Sequence, residues 1–195
     1  MNKTRLEAFS DGVLAIIITI MVLELHISHG TELAALQPVL PVFFCYVLSF
    51  VYIGIYWNNH HHMLHAAHRV TGGVLWANLH LLFWLSLLPF ATGWMGVNEF
   101  ASTPTALYGV VLLMSGTAYW ILSRTLIGVE GTQSKLARAI GKDIKGRTSL
   151  LIYAVAIPVA FLNRWVSQAL YVLVAMMWLI PDRRIERVMG ENEEG

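Results

Sequence analysis

Six stretches of this 195-residue chain are long and apolar enough to cross a lipid bilayer, at about 8–27, 36–58, 74–95, 104–123, 148–163 and 165–181. The last five contain no Asp, Glu, Lys or Arg. A backbone surrounded by hydrocarbon must satisfy its own polar groups, and runs of this length do so as helices. Composition agrees, because only 13% of the residues are charged, against about a quarter in soluble domains. These features predict an all-α integral membrane protein with six transmembrane helices in a single membrane domain over 1–195, and a tail at 182–195. The last two runs are parted only around Asn163-Arg164 and read as a tight hairpin, with one long kinked helix as the alternative. Pro158 suggests a kink in the fifth run. The first run lacks a small-residue cleavage site after its apolar part and reads as mature protein, not as a signal peptide. Cys45, the single cysteine, reads as a small buried apolar residue.

Basic residues fix the expected orientation. Lys3 and Arg5 precede the first run, Arg69 lies between the second and third, and Arg124, Lys135, Arg138, Lys142, Lys145 and Arg147 lie between the fourth and fifth. Arg183, Arg184 and Arg187 follow the sixth, so 12 of the 13 basic residues share one side and only Arg164 opposes them. This asymmetry predicts cytoplasmic N- and C-termini and a location in the cell membrane. The 130–147 connection reads as a short basic amphipathic helix drawn to anionic lipid headgroups, or as a charge cluster that only sets topology. A net charge of +1 gives no case for nucleic acid as a partner.

Arg5-Leu6-Glu7-Ala8-Phe9-Ser10-Asp11 leads into the first run, which carries no further charge until Glu24. A carboxylate beside hydrocarbon is costly without a partner, so Asp11 is a candidate functional residue; the alternative is a carboxylate that only caps the helix. On a helical wheel with Ile16 at the origin, Ile20 and Leu23 fall within half a quadrant of it on either side, Thr19 lies less than a quadrant away, and Asp11 lies well round toward the opposite side. The first four form one stripe, and Asp11 points away from it toward neighbouring helices. Arg5 is rotated about 240° from Asp11 and cannot pair with it along one face. Trp57, Asn58, Asn59 and His60, at the same end of the second run, are candidate partners from another helix.

Arg5-x-x-x-Phe9-Ser10-Asp11, the Trp57-x-x-His60 pair, Asn78 and Leu88-Pro89-Phe90 together resemble the transmembrane protein 175 family, whose animal member is a lysosomal potassium channel. The resemblance runs over the whole chain. It implies a homotetramer of six-span subunits with the first helices lining a central potassium path. Ile16 matches the family's hydrophobic constriction, with Thr19, Ile20 and Leu23 continuing the lining. Arg5, Phe9, Ser10, Asp11, Trp57, His60 and Asn78 match its inter-helix polar network. The run His60-His61-His62 departs from the pattern and leaves the partner of Asp11 open. An isoleucine ring offers an ion no replacement for water, so Ile16 suits closing a pore better than selecting an ion. No Thr-Val-Gly-Tyr-Gly loop is present, so selectivity must come from elsewhere; a Thr19 ring beside potassium is one source, and Thr19 packed on the next helix is the alternative. Glu24, near His26, reads either as a cation-concentrating group at the outer mouth or as an ordinary interfacial carboxylate.

Other constellations carry less. His61, His65 and His68 would share one helical face, which suggests a pH-responsive surface; no carboxylate or cysteine completes a metal site. Trp57, Trp94, Trp165 and Trp178 read as interface anchors, and Trp76, Trp84 and Trp120 as packing. No hydrolase, zinc-protease or phosphate-loop motif is present and no cofactor is expected. The rival function is a proton-coupled secondary transporter using Asp11 and the nearby histidines.

Overall fold

A computed structural model describes residues 3–26, 30–141 and 143–179. The elements are α1 (Lys3–Leu23), a 3-10 helix (Leu33–Val39) running into α2 (Leu40–Ala66), α3 (Gly72–Ser86), α4 (Leu88–Val97), α5 (Ser102–Glu130), α6 (Lys135–Ile140), α7 (Ile144–Leu162) and α8 (Arg164–Leu179). Among the described residues, five helical stretches are long and apolar enough to cross a membrane: α1, the 3-10 helix with α2, α3 with α4, α5, and α7. The apolar α8 is shorter, at 16 residues. The end of the sixth expected span and the tail at 182–195, with Arg183, Arg184 and Arg187, lie outside the described residues.

Local chemistry explains where the helices stop. The third apolar run is two helices, because Pro89 in the first turn of α4 has no N–H to carry α3 onward. Leu87 forms the joint, its N–H donating to Trp84 O at 3.2 Å. Asn163 separates α7 from α8 in an extended conformation (φ −153°, ψ 102°). Its Oδ1 accepts from the N–H groups of Trp165 and Val166 at 3.0 and 3.3 Å, which caps α8 and rules out one long kinked helix. The helix α7 is continuous through Pro158.

Two expectations, for His68 and for Trp76, need correction. Helix α2 ends at Ala66, so His68 lies in the connector and does not share a helical face with His61 and His65. In the connector Glu130 Oε1 accepts from the backbone N–H groups of His68 and Arg69 at 2.8 and 2.7 Å, which holds it against the end of α5. Between the end of α5 and the first turn of α7, the short helix expected in the 130–147 connection is the six-residue α6, capped by Ser134 Oγ on the N–H of Ala137, with Leu136 buried and Arg138 exposed. Trp76 is 75% exposed and not a packing residue; against lipid an indole needs no burial inside the protein.

Helix α5 packs against α3, α4 and α7; α7 packs on α8, and α2 on α4 and α8. At the edge of this bundle lies α1, in contact with α2, α3 and α4. Most buried polar side chains in the bundle are paired, as a low-dielectric interior favours, and among the described residues the Ser115 and Ser167 hydroxyls are the exceptions. Ser49 Oγ meets Thr92 Oγ1 at 2.7 Å and the Tyr108 hydroxyl at 3.0 Å, Tyr52 donates to Tyr171 O at 2.6 Å, and Tyr171 donates to Thr105 O at 3.1 Å. A tight approach of two helices occurs at Gly96, where a Cβ would lie 2.6 Å from Val42 Cα. Backbone cannot move aside as a side-chain tip can. Gly96→Ala should therefore part α4 from α2 and cost about 1–3 kcal/mol, read as a lowered melting temperature in detergent; an unchanged melting temperature would show that the contact is compliant.

Candidate ion path and inter-helix polar network

Helix α1 divides into three faces by its own periodicity. Leu6, Ser10, Leu14, Ile17 and Met21, spaced four or three apart, are buried against the rest of the subunit. On the opposite side Arg5, Phe9, Gly12, Ile16, Thr19, Ile20 and Leu23 are all exposed. Ile16 is 60% exposed and Leu23 74%. Between these two faces run Thr4, Ala8, Asp11, Ala15 and Val22, also exposed. A helix with one buried face and two exposed ones presents surface in two further directions.

The buried face carries one polar residue, Ser10, and the structure pairs it fully. Ser10 Oγ donates to Leu6 O at 2.9 Å and accepts from Asn78 Nδ2 at 3.0 Å. Asn78 Oδ1 accepts from His60 Nε2 at 2.7 Å; because a carbonyl oxygen only accepts, Nε2 carries the proton. Ser10, Asn78 and His60 are buried, so this chain links α1, α3 and α2 out of reach of solvent. It runs in one donor direction and ends on a backbone carbonyl.

Asp11 stands outside that chain. Adjacent residues diverge by about 100° on a helix, so with Ser10 turned to α3, Asp11 turns elsewhere. Its Oδ1 accepts from Trp57 Nε1 at 3.0 Å on the exposed surface. The Trp57 ring stacks on His61 with centroids 6.0 Å apart, and His61 stacks on His65 at 6.1 Å. Of the four partners suggested for Asp11, the structure brings Trp57 to it, while His60 goes to Asn78. Among the described residues Arg5 makes no side-chain bond, and Phe9 makes no polar one and is 53% exposed.

Lys3 was not singled out from the sequence, yet its Nζ donates to His65 O at 2.9 Å and stands 3.8 Å from Glu7. The i,i+4 spacing to Glu7 was the available signal; the contact with α2 had none. Thr19 Oγ1 donates to Ala15 O at 2.9 Å, which commits its proton and leaves its lone pairs outward. Glu24 lies beside Gly93 of α4, and its carbonyl oxygen is 2.9 Å from His26 Nδ1. Among the described residues no three His, Cys, Asp or Glu side chains converge as metal ligands.

Comparison with known proteins bears on this arrangement. A family model described as the endosomal/lysosomal potassium channel TMEM175 matches residues 5–89, the segment that holds the α1 stripe and the Ser10, His60 and Asn78 chain. A potassium channel of Chryseobacterium sp. (strain P1-3) is 54% identical over 192 residues, 98% of this chain and 100% of that one. A potassium channel of Streptomyces collinus is 32% identical over 138 residues, 64% of this chain and 67% of that one. The crystal structure of a lysosomal potassium-selective channel TMEM175 homologue from Chamaesiphon minutus has the same fold, with a TM-score of 0.73 at 24% identity over 91% of this chain and 96% of that one.

Proposed function

This chain belongs to the TMEM175 family, and on that premise we propose that it is a potassium-permeable cation channel closed or narrowed by a ring of Ile16 side chains. The observation that carries the reading is the line of exposed apolar residues on α1, with Ile16 at 60% and Leu23 at 74% exposure on a helix whose opposite face is packed. Four copies around an axis, each a six-span subunit with cytoplasmic termini, would bring Arg5, Phe9, Gly12, Ile16, Thr19, Ile20 and Leu23 to a common path. A neck of isoleucine sheds water and imposes the barrier. Thr19, with its proton committed to its own helix, offers oxygen lone pairs to a cation one turn further on. The second exposed face, with Asp11 and Trp57, then meets the adjacent subunit.

The proton-coupled transporter is the weaker reading. The chain from His60 through Asn78 to Ser10 ends on the Leu6 carbonyl, which accepts a hydrogen bond and passes no proton on. That supports a role in holding helices together.

The test is the reversal potential of the purified protein in liposomes, with potassium on one side and sodium on the other. Reversal near the potassium equilibrium potential is expected; flux that appears only with an opposed proton gradient would favour the transporter. Asp11→Ala should cost assembly more than conduction, seen as loss of the tetramer peak in detergent sizing. A tetramer that persists at wild-type stability would remove Asp11 from the subunit contact.

A further inference from the structure

Asp11 leaves half of its carboxylate unused. Its Oδ1 accepts from Trp57 Nε1 at 3.0 Å, and among the described residues Oδ2 takes no hydrogen bond. A carboxylate on a membrane helix is costly until its oxygens are engaged. On α3 the half-buried His80 has a donor to spare. Trp84 Nε1 donates to His80 Nε2 at 3.0 Å; an indole N–H only donates, so the neutral imidazole carries its proton on Nδ1. Among the described residues that N–H meets no acceptor, and hydrocarbon offers none.

The two groups lie at one depth. Ser10, Asn78 and His60 bond to one another and so form a common layer. Successive spans alternate in direction, so α1 and α3 run one way across the membrane and α2 the other. Asp11 is one residue beyond Ser10, His80 two beyond Asn78, and Trp57 three before His60. At a rise of 1.5 Å per residue, all three fall on the same side of the layer and within about 3 Å of one another in depth.

Rotation decides what can approach Asp11 from outside the subunit. Around α1, Ser10 lies about 120° from Ile16 in one sense and Asp11 about 140° in the other. Trp57 bonds to Asp11, so α2 sits toward that second side; α3 and α4, which also contact α1, hold the first. With Ile16 turned to a common axis, rotational symmetry lays the Asp11 side of each subunit against the α3 and α4 side of the next. Trp76, Leu79, Phe83 and Phe90 are exposed along that side and make it largely apolar. Ser86, also exposed, commits its proton to Phe83 O at 2.7 Å.

We propose that Asp11 Oδ2 accepts a hydrogen bond from Nδ1 of His80 of the partner subunit, so that Trp57 and the partner subunit's His80 together clamp one carboxylate. The pairing rests on the ring around α1 proposed above. It engages the two polar groups that each subunit leaves open at this depth, and repetition round the ring closes the set.

The full-length protein in detergent supplies the test. Sizing of the wild type comes first, and a monomer would overturn the ring and the pairing together. With a tetramer present, Asp11→Cys and His80→Cys are placed in one chain and the tetramer fraction is treated with a short bis-maleimide. A denaturing gel should then show dimers, trimers and tetramers, and each single substitution should give monomer; Cys45 is buried and stays silent. Linkage confined within one chain, or a ladder given instead by Asp11→Cys with Val172→Cys on α8, would overturn the pairing and leave the ring standing.

A second measurement keeps both helices free of cysteine. His80→Leu should raise the protein concentration at which half the tetramer dissociates by at least about tenfold, and His80→Gln, which keeps an N–H donor, should recover part of that loss. Combining His80→Leu with Asp11→Asn should do little more than the worse of the two alone, because they remove one bond. Additive losses would overturn the pairing. So would coupling of Asp11→Asn to Trp76→Phe rather than to His80→Leu, which would assign the contact to the indole of Trp76.

Discussion

Ile16→Asn should raise potassium flux in reconstituted liposomes by at least about tenfold, the factor given by removing about 1.4 kcal/mol from a barrier. The substitution keeps side-chain length near that of isoleucine and supplies an amide to a passage that otherwise has nothing to offer an ion in place of water. Folding should be little affected, because Ile16 is 60% exposed within the subunit. Ile16→Ala separates width from polarity: a wider apolar neck should gain less than a polar one if drying is the barrier. Unchanged flux from an Ile16→Asn protein that still assembles would move the constriction away from this residue.

Asn78→Leu should destabilise the subunit by about 2–4 kcal/mol, because two buried partners lose their bonds while remaining polar. His60 Nε2 would keep a proton with no acceptor, and Ser10 would lose the donor 3.0 Å from its oxygen. Ordinary hydrogen-bonded pairs in membrane proteins are worth about 0.6 kcal/mol; the larger figure follows from orphaning His60 Nε2 while Ser10, still bonded to Leu6 O, loses its donor as well. Thermal unfolding in detergent reads the loss. The double variant His60→Phe with Asn78→Leu should melt closer to wild type than the two single losses would sum to, because the unpaired imidazole is gone. Strict additivity would mean that the two side chains do not act as one unit.

The helical class and the apolar stretches were legible because lipid admits few backbone solutions and leaves uncharged runs in the chain. The α1 stripe was legible because a 3.6-residue period needs only the sequence of one helix. What escaped depended on contacts between distant segments. Nothing local to Ala66 announces that the next residues leave the helix and bond to Glu130, so a face shared by His61, His65 and His68 is expected from the sequence and absent from the structure. Trp57 and His60 were both open as partners for Asp11, since choosing between them needs the rotation of α2 against α1. Asn163 could be either a hinge or a stop until its side chain was seen capping α8.

The hydrogen bond between Ser10 and Asn78 sets an angle as well as an attachment. Ser10 and Ile16 are six residues apart, about 120° on the helix circumference, so anchoring one fixes the azimuth of the other. Side-chain tips lie about 5–6 Å from a helix axis, and a turn of about 20° there would sweep Ile16 sideways by about 2 Å. Identical subunits would make that movement together, like the leaves of an iris. The aperture would then be governed from the dry side of the helix, by a side chain that no permeating ion encounters.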